Sequence, residues 1–189
     1  MTLPSHTLTI NGGCNCSTIC YKIFILPVHE RPLYLLPPSP TSHDEVCVPA
    51  VVIDHCNDCC HTTGSTLPLW ICSPISFVTS SLVPRSQSSL DSDASKRTTS
   101  ATHAETRGPW LSAKEVFQPG SDSTRDSFLT FYESLEGRRR SFGGRCGTSL
   151  AFAIFPVMEG WPEMLDIVLG TVDRENLEGN ALVPERQLW

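Results

Sequence analysis

Nine cysteines in 189 residues are the side chains most able to do chemistry in this sequence. Five of them stand in short motifs. Cys14 and Cys16 are one residue apart, Cys56 and Cys59 are two apart, and Cys146 follows a Gly-Gly-Arg run. Two thiolates at such spacings can reach one metal ion, and Cys-x-x-Cys is a common zinc half-site. Disulfides and reactive thiols are the competing explanations, and the odd count and close spacings favour metal.

The rest of the composition limits where and with what the protein acts. The first residues form neither a basic segment nor an apolar run, so the sequence predicts no secretory signal. We therefore expect a reducing, cytoplasmic location, where disulfides are rare. No apolar stretch reaches the roughly 18 residues of a membrane span. The net charge of −6 argues against nucleic acid as a partner. We therefore expect a metal-binding protein with neither a nucleic-acid nor a membrane partner.

The elements that must position the cysteines are predicted to be short strands. Apolar runs bounded by Pro, Gly, Asn or Ser predict a mainly β fold. The predicted strands cover residues 19–25, 46–53, 67–72, 128–132, 148–155 and 165–169. Helical signals are limited to one turn after Asp58 and a short helix opening at Asp173. Fifteen prolines disfavour long helices.

Two segments interrupt the strand pattern. Four prolines between positions 28 and 48 predict an extended loop. In residues 79–106, 13 of 28 side chains are Ser or Thr. The segment has too few large apolar side chains for their burial to offset the conformational entropy lost on ordering. We therefore expect a disordered, low-complexity insertion, placed at about 79–125, within a single domain that spans residues 1–189.

The order of the cysteine motifs resembles the glutathione-dependent formaldehyde-activating enzymes, a family that includes the C-terminal domain of centromere protein V. The sequence carries Gly-Cys-x-Cys followed by Tyr21, then His-Cys-x-x-Cys followed by Thr-Gly-Ser, then Phe-x-x-x-Cys-Gly-Thr. Residues 10–78 and 126–189 carry the resemblance, which includes the run 166–173 before the C-terminus.

The resemblance implies a β-tent fold, in which small antiparallel sheets are joined at a structural zinc site. Cys14, Cys16 and Cys146 match three of the four thiolate ligands of that zinc in the family. Gly143 stands at the position of the remaining ligand and offers no side chain. We therefore expect a three-thiolate site of reduced affinity. Ser17, where the family has a Gly, is a further departure.

A second zinc in the family receives the glutathione thiolate, and the resemblance extends to its ligands. Cys56 and Cys59 match two of them, while Asp54 stands in place of the first cysteine. Because Asp can coordinate zinc, these three side chains would leave the fourth position open to a substrate thiolate or water. His55 lies between the ligands, and Gln187 replaces a His that is common in the family.

The remaining reactive side chains are expected to be structural. Arg138, Arg139 and Arg140, together with Arg145, could bind the carboxylates of glutathione, but a solvated turn is the favoured interpretation. The cysteines outside the motifs are expected to be packed or inert, and these are Cys20, Cys47, Cys60 and Cys72.

Three functions stay open on the sequence alone. The first is a zinc-dependent carbon–sulfur lyase-like enzyme of the S-(hydroxymethyl)glutathione synthase type. Its partner would be glutathione or another small thiol, and its substrates the adducts of that thiol with formaldehyde or a similar small electrophile. The second is a non-catalytic zinc-binding module, with a basic face around 138–145. The third is a decayed or truncated family member, which Gly143 favours.

Overall fold

A computed structural model describes residues 3–35, 45–87, 107–118, 120–157, 159, 162–178 and 182–188. The fold is mainly β, as predicted, and its strands are short. The strands are β1 (Leu8–Gly13), β2 (Ile19–Ile25), β3 (Leu33–Leu35), β4 (Glu45–Cys47), β5 (Ala50–Asp54), β6 (Leu69–Pro74), β7 (Val78–Leu82), β8 (Leu111–Ser112), β9 (Leu129–Leu135), β10 (Arg138–Gly143), β11 (Ser149–Ile154), β12 (Met164–Val168) and β13 (Arg186–Leu188). The α-helices are α1 (Asn57–Thr63), α2 (Ala113–Val116), α3 (Asp122–Arg125) and α4 (Arg174–Leu177).

The strands pair into three sheets. One sheet has the order β1-β2-β7-β8, a larger one has the order β13-β5-β6-β12-β11-β10-β9, and β3 pairs with β4 alone. The described pairs are antiparallel except for β13 and β5, which are parallel. None of the helices in the described segments has the length and apolar character that crossing a bilayer requires.

The main core lies between the four-stranded sheet and one face of the seven-stranded sheet. Every second residue of β2 is buried, because alternate side chains of a strand point to the same face. Ile19 and Ile23 of that strand share one apolar cluster with Ile71 of β6 and Ile167 of β12. The two sheets are therefore held together by apolar side chains that alternate along their strands.

A smaller apolar cluster covers the opposite face of the seven-stranded sheet. Val52 of β5 and Trp70 and Cys72 of β6 belong to it, together with Cys59 of helix α1. Their chain neighbours Val51 and Ile71 belong to the main core, so the central strands are buried on both faces. Helix α1 is thereby fixed against the sheet on the side away from the four-stranded sheet.

A buried tyrosine links β2 to the segment that follows β12. The hydroxyl of Tyr21 lies 2.7 Å from Thr171 Oγ1, and Thr171 Oγ1 in turn donates to the Val168 carbonyl at 2.7 Å. Gly12 permits this contact, because a Cβ at that position would collide with the tyrosine hydroxyl. The main chain of β1 joins the same region, since Asp173 N donates to Asn11 O at 2.9 Å.

Most predicted elements are present with shifted ends. The predicted strand 19–25 coincides with β2, and strands at 67–72, 128–132, 148–155 and 165–169 appear as β6, β9, β11 and β12. The predicted strand 46–53 is divided into β4 and β5 around Pro49, which has no N–H to donate to a ladder. Helices occur at both predicted places, and Asp173 is the N-cap of α4.

Two predictions about irregular segments are corrected. The stretch 27–49 is not wholly an extended loop, because its described part contains the antiparallel pair of β3 and β4. Disorder from residue 79 is wrong as well. Val78–Leu82 is a strand between β2 and β8, and Ser80 and Ser81 within it are fully buried. Residues 107–118 and 120–125 are also folded and carry β8, α2 and α3, whereas 36–44 and 88–106 lie outside the described residues.

Replacing Tyr21 by Phe tests the link between β2 and the segment after β12. The substitution removes one buried hydrogen bond and keeps the ring, so we expect a loss of about 0.5–1.5 kcal/mol in the free energy of unfolding. Urea unfolding of metal-free protein measures it. Tyr132→Phe on the exposed side of β9 is the matched control and should leave stability unchanged. Equal stability of Tyr21→Phe and the wild type would show that the hydroxyl contributes nothing.

Candidate metal centres

The structure brings the six predicted ligands together in two groups. Within each group, the candidate ligand atoms lie within 4.8 Å of one another, so either group could hold a metal ion. The first centre consists of Cys14, Cys16 and Cys146, and the second centre consists of Asp54, Cys56 and Cys59.

Two turns from different sheets form the first centre. Cys14 and Cys16 lie in the turn between β1 and β2, and Cys146 lies in the turn between β10 and β11. The sulfur atoms of Cys14 and Cys16 are 3.5 Å apart. A tetrahedral zinc ion with Zn–S bonds of about 2.3 Å separates its sulfur ligands by about 3.8 Å. The donor set therefore fits a single zinc ion with little movement.

The turn between β1 and β2 holds Ser17 in an uncommon backbone conformation. Cys14 N donates to Ile19 O at 2.9 Å, and Ser17 N donates to Cys14 O at 2.8 Å, so the chain folds back within four residues. Ser17 has a φ of 56°, in the left-handed region that favours glycine. Glycine adopts this conformation without strain, whereas Ser17 adopts it at a cost.

Threonine hydroxyls lie beside all three thiols of the first centre. Thr18 Oγ1 is 3.5 Å from Cys14 Sγ and 3.2 Å from Cys16 Sγ, and Thr148 Oγ1 is 3.1 Å from Cys146 Sγ. Each threonine follows a ligand cysteine by two residues, so Cys-x-Thr occurs in both turns. The sequence reasoning assigned these threonines no role, although the repeated spacing was a visible signal.

Gly143 faces the first centre. A Cβ built at Gly143 would lie 3.1 Å from Cys146 Sγ and 3.7 Å from Cys14 Sγ. A side chain there would therefore point into the space between the sulfur atoms. Position 143 is therefore one from which a fourth ligand could reach an ion held by these sulfur atoms.

Proximity of the thiols prepares the first centre for a cation. The hydrogen bond with Cys16 and then burial raise the pKa of Cys14, whereas the same hydrogen bond lowers the pKa of Cys16 to about 4. Cys16 is therefore the thiol of this pair that loses its proton more readily. A cation replaces the shared proton and allows the remaining thiols to ionise.

The second centre is built at the junction of β5 and α1. Cys56 is the N-cap of α1, and its N–H donates to Asp54 Oδ1 at 2.7 Å. Cys59 follows within the first helical turn and is 8% exposed, whereas Cys56 is exposed. The ligand set therefore has one buried side, against the sheet, and one side open to solvent.

His55 does not join the ligands of the second centre in this structure. Its Nε2 lies 3.3 Å from Gln187 Oε1, on β13, which pairs with β5. Gln187 thus contacts the histidine that lies between Asp54 and Cys56 in the sequence. Cys60 is also separate, because its sulfur points to the Thr66 carbonyl at 3.5 Å.

One arginine of the run 138–140 contacts a ligand of the second centre, contrary to the prediction for this run. These residues form β10 rather than a solvated turn, and Arg140 is 5% exposed. Its Nη2 donates to Cys59 Sγ at 3.4 Å. Arg139 instead pairs with Glu133, so the arginines do not form one basic face.

Burial, followed by a hydrogen bond with Asp54, raises the pKa of Cys59 to about 12, and Arg140 opposes that shift.

Two further side chains lie in the same sheet beside the second centre. The sequence alone assigned neither of them a function. Cys72 of β6 and Asp166 of β12 are register partners. Burial raises the pKa of Cys72, and burial raises that of Asp166 to about 6, with the charge of Asp54 adding to both shifts. Cys72 is packed, as predicted. A polar residue inside the alternating run 165–169 was the available signal for Asp166.

Comparison with known proteins adds no identification. No model of a known protein family matches the chain, and no curated protein matches it. All nine cysteines are free in the structure. The ligand geometry and the order of the motifs therefore carry the functional argument.

Substituting Gly143 tests whether the first centre lacks only a fourth ligand. Gly143→Cys should raise the zinc affinity of this centre by at least about tenfold, because a fourth thiolate completes the tetrahedral set. Competition with a chromophoric chelator measures the affinity. Gly143→Ala introduces the same Cβ without a ligand and should bind zinc no more tightly than the wild type. Equal zinc affinity in the Cys and Ala variants would contradict a vacant ligand position at 143.

Proposed function

We propose that the protein is a zinc-binding carbon–sulfur lyase-like enzyme. It would form or cleave the adduct between glutathione, or another small thiol, and formaldehyde or a similar small electrophile. The observation that carries the proposal is the second centre, where Asp54, Cys56 and Cys59 converge with one side open to solvent. Three protein ligands with an accessible fourth position are typical of catalytic rather than structural zinc.

The donor chemistry supports zinc as the ion. Two thiolates with one carboxylate suit zinc, whereas Mg²⁺ and Ca²⁺ prefer oxygen ligands alone. The first centre has three thiols and no oxygen ligand in its group, which favours zinc in the same way. Bound at the second centre, zinc would hold a small thiol as its thiolate near neutral pH.

The proposed reaction needs few catalytic groups from the protein. The substrate sulfur attacks the carbonyl carbon of formaldehyde, a C–S bond forms, and the carbonyl electron pair moves to oxygen, which takes a proton from water. The reverse step breaks the C–S bond and returns that proton. Asp54, Cys56 and Cys59 would hold the zinc ion, which would supply the coordination position for the reacting sulfur, and no separate general base is required.

A groove next to α1 supplies space for a small thiol. Its volume is about 370 Å³, within the range of small-molecule sites. Thr62 of α1, one turn beyond Cys59, lines the groove together with the aromatic side chains of Tyr132 and Phe142. Gly147, next to Cys146 in the sequence, also lines it. Residues of α1 and of the turn between β10 and β11 therefore line the same groove.

The first centre has a structural role in this proposal. Its cysteines come from turns of the two large sheets, so zinc bound there would cross-link them, as in a β-tent fold. Free cysteines throughout the chain support a reducing, cytoplasmic location.

A non-catalytic zinc-binding module is the second candidate, and the buried Cys14 of the first centre favours it. Separation of the arginines weakens the basic face that such a module was expected to use.

Removing the exposed ligand Cys56 tests the proposed activity. The zinc-loaded wild type should accelerate the reaction of glutathione with formaldehyde, measured by the loss of free thiol. Cys56→Ala should lose one zinc equivalent and lower the rate at least about 100-fold, since even groups around metal ligands contribute about 10- to 100-fold.

Cys60→Ala is the matched control for this assay. It removes a neighbouring thiol of α1 that lies outside both centres, so zinc content and rate should stay at the wild-type values. A wild type that holds zinc at the second centre but gives no acceleration would contradict the enzymatic proposal and leave the binding module.

A further inference from the structure

Arg140 is a buried cation without a carboxylate partner in the described part of the chain. Its side chain is packed against the ring of Phe152, with the guanidinium carbon 5.0 Å from the ring centroid. Its Nε donates to Ser134 Oγ at 3.3 Å, and its Nη2 donates to Cys59 Sγ at 3.4 Å. Burying an unbalanced charge costs several kcal/mol, so a group that compensates it is expected nearby.

The neighbouring Arg139 shows what a balanced arginine looks like on the same strand. It also stacks on an aromatic ring, that of Phe155 at 4.9 Å, but its Nη2 pairs with Glu133 Oε1 at 3.2 Å. The difference between the two arginines is the acceptor. Arg139 has a carboxylate, whereas Arg140 has a thiol of the second centre.

Metal binding would turn the sulfur that Arg140 contacts into a thiolate and so place negative charge beside the guanidinium. Cysteine coordinates metal as the thiolate, and Asp54 coordinates as the carboxylate. The second centre then carries three negative ligands around an ion of charge +2, an excess of one negative charge. The guanidinium of Arg140 offsets that excess, and the thiolate of Cys59 offsets the buried cation.

The contacts around Arg140 hold the guanidinium in one orientation. Ser134 Oγ donates to the Arg138 carbonyl at 3.3 Å, which leaves its lone pairs free to accept from Arg140 Nε. Phe152 fixes the plane of the guanidinium from one side. Nη2 is therefore directed at the sulfur of Cys59 before a metal arrives.

We propose that Arg140 is a positioning residue of the second centre, which donates an N–H···S hydrogen bond to the metal-bound thiolate of Cys59 and balances the charge of the ligand set. This inference rests on the proposed function, because it requires metal at the second centre. Arg140 orients one ligand and makes the centre more tolerant of an additional anionic ligand, such as a substrate thiolate, at the open position.

Cobalt titration of the full-length protein tests this inference. Co²⁺ replaces zinc, and the sulfur-to-cobalt charge-transfer band reports on the cysteine thiolates bound to the ion, Cys59 among them. The part of the band that is absent in Cys56→Ala is assigned to the second centre. Arg140→Met removes the charge and keeps an apolar stem against Phe152, Arg140→Lys keeps the charge without the planar fork, and Arg139→Met is the matched control.

We expect Arg140→Met to weaken Co²⁺ binding at the second centre by about 10- to 100-fold and to shift the charge-transfer band. Arg140→Lys should recover part of the affinity, and Arg139→Met should match the wild type. Metal-free Arg140→Met should resist urea at least as well as the metal-free wild type, because an unbalanced buried charge is gone. If Arg140 had only a structural role, Arg140→Met would instead be less stable to urea than the wild type when both are metal-free.

Unchanged affinity and band in Arg140→Met, or an equal loss in Arg139→Met, would overturn the inference and leave the proposed function intact. A metal-free Arg140→Met that is less stable than the wild type, or fails to fold, would also overturn it. A wild type without any band at the second centre would overturn both the inference and the proposed function.

Discussion

Three sulfur atoms from two turns meet where the two large sheets pack together, and the apolar core between the sheets holds the turns in place. Cys14 and Cys16 close the β1–β2 hairpin, and Cys146 lies in the turn between β10 and β11. The same apolar cluster that packs the sheets includes Cys14 and contacts Cys16 and Cys146. Thiols held this closely can share one cation, so folding creates a group of ligand atoms that could hold a metal ion at the seam between the sheets.

The seven-stranded sheet carries the second group of candidate ligands on its opposite face. Its central strands are buried on both sides, so that apolar residues facing the main core alternate with Val52, Trp70 and Cys72 facing α1. Helix α1 brings Cys59 onto this face, and Asp54 at the end of β5 meets it there. The sheet separates a centre that would cross-link the fold from one that is open to a ligand.

Local patterns predicted much of this arrangement. A run rich in β-branched and aromatic residues identified β2 within its correct bounds, and the family resemblance named both groups of side chains that the structure assembles. Interactions between distant strands escaped prediction. Composition made β7 look disordered, although β2 and β8 on either side bury its serines. Three consecutive arginines looked solvated, yet strand register places Arg140 beside Phe152, and Phe152 beside Asp166, in one row across the sheet. Register depends on pairing across the whole sheet, which no local run of residues encodes.

The claim that both centres hold zinc is tested most directly by native mass spectrometry of the full-length protein. Metal-free protein is reloaded with zinc, freed of unbound ion and weighed under non-denaturing conditions, and the same sample is weighed again after acid denaturation. We predict a mass increase of two zinc ions that disappears on denaturation, with one ion lost in Cys56→Ala. A native mass equal to that of the bare chain would contradict the account at both centres.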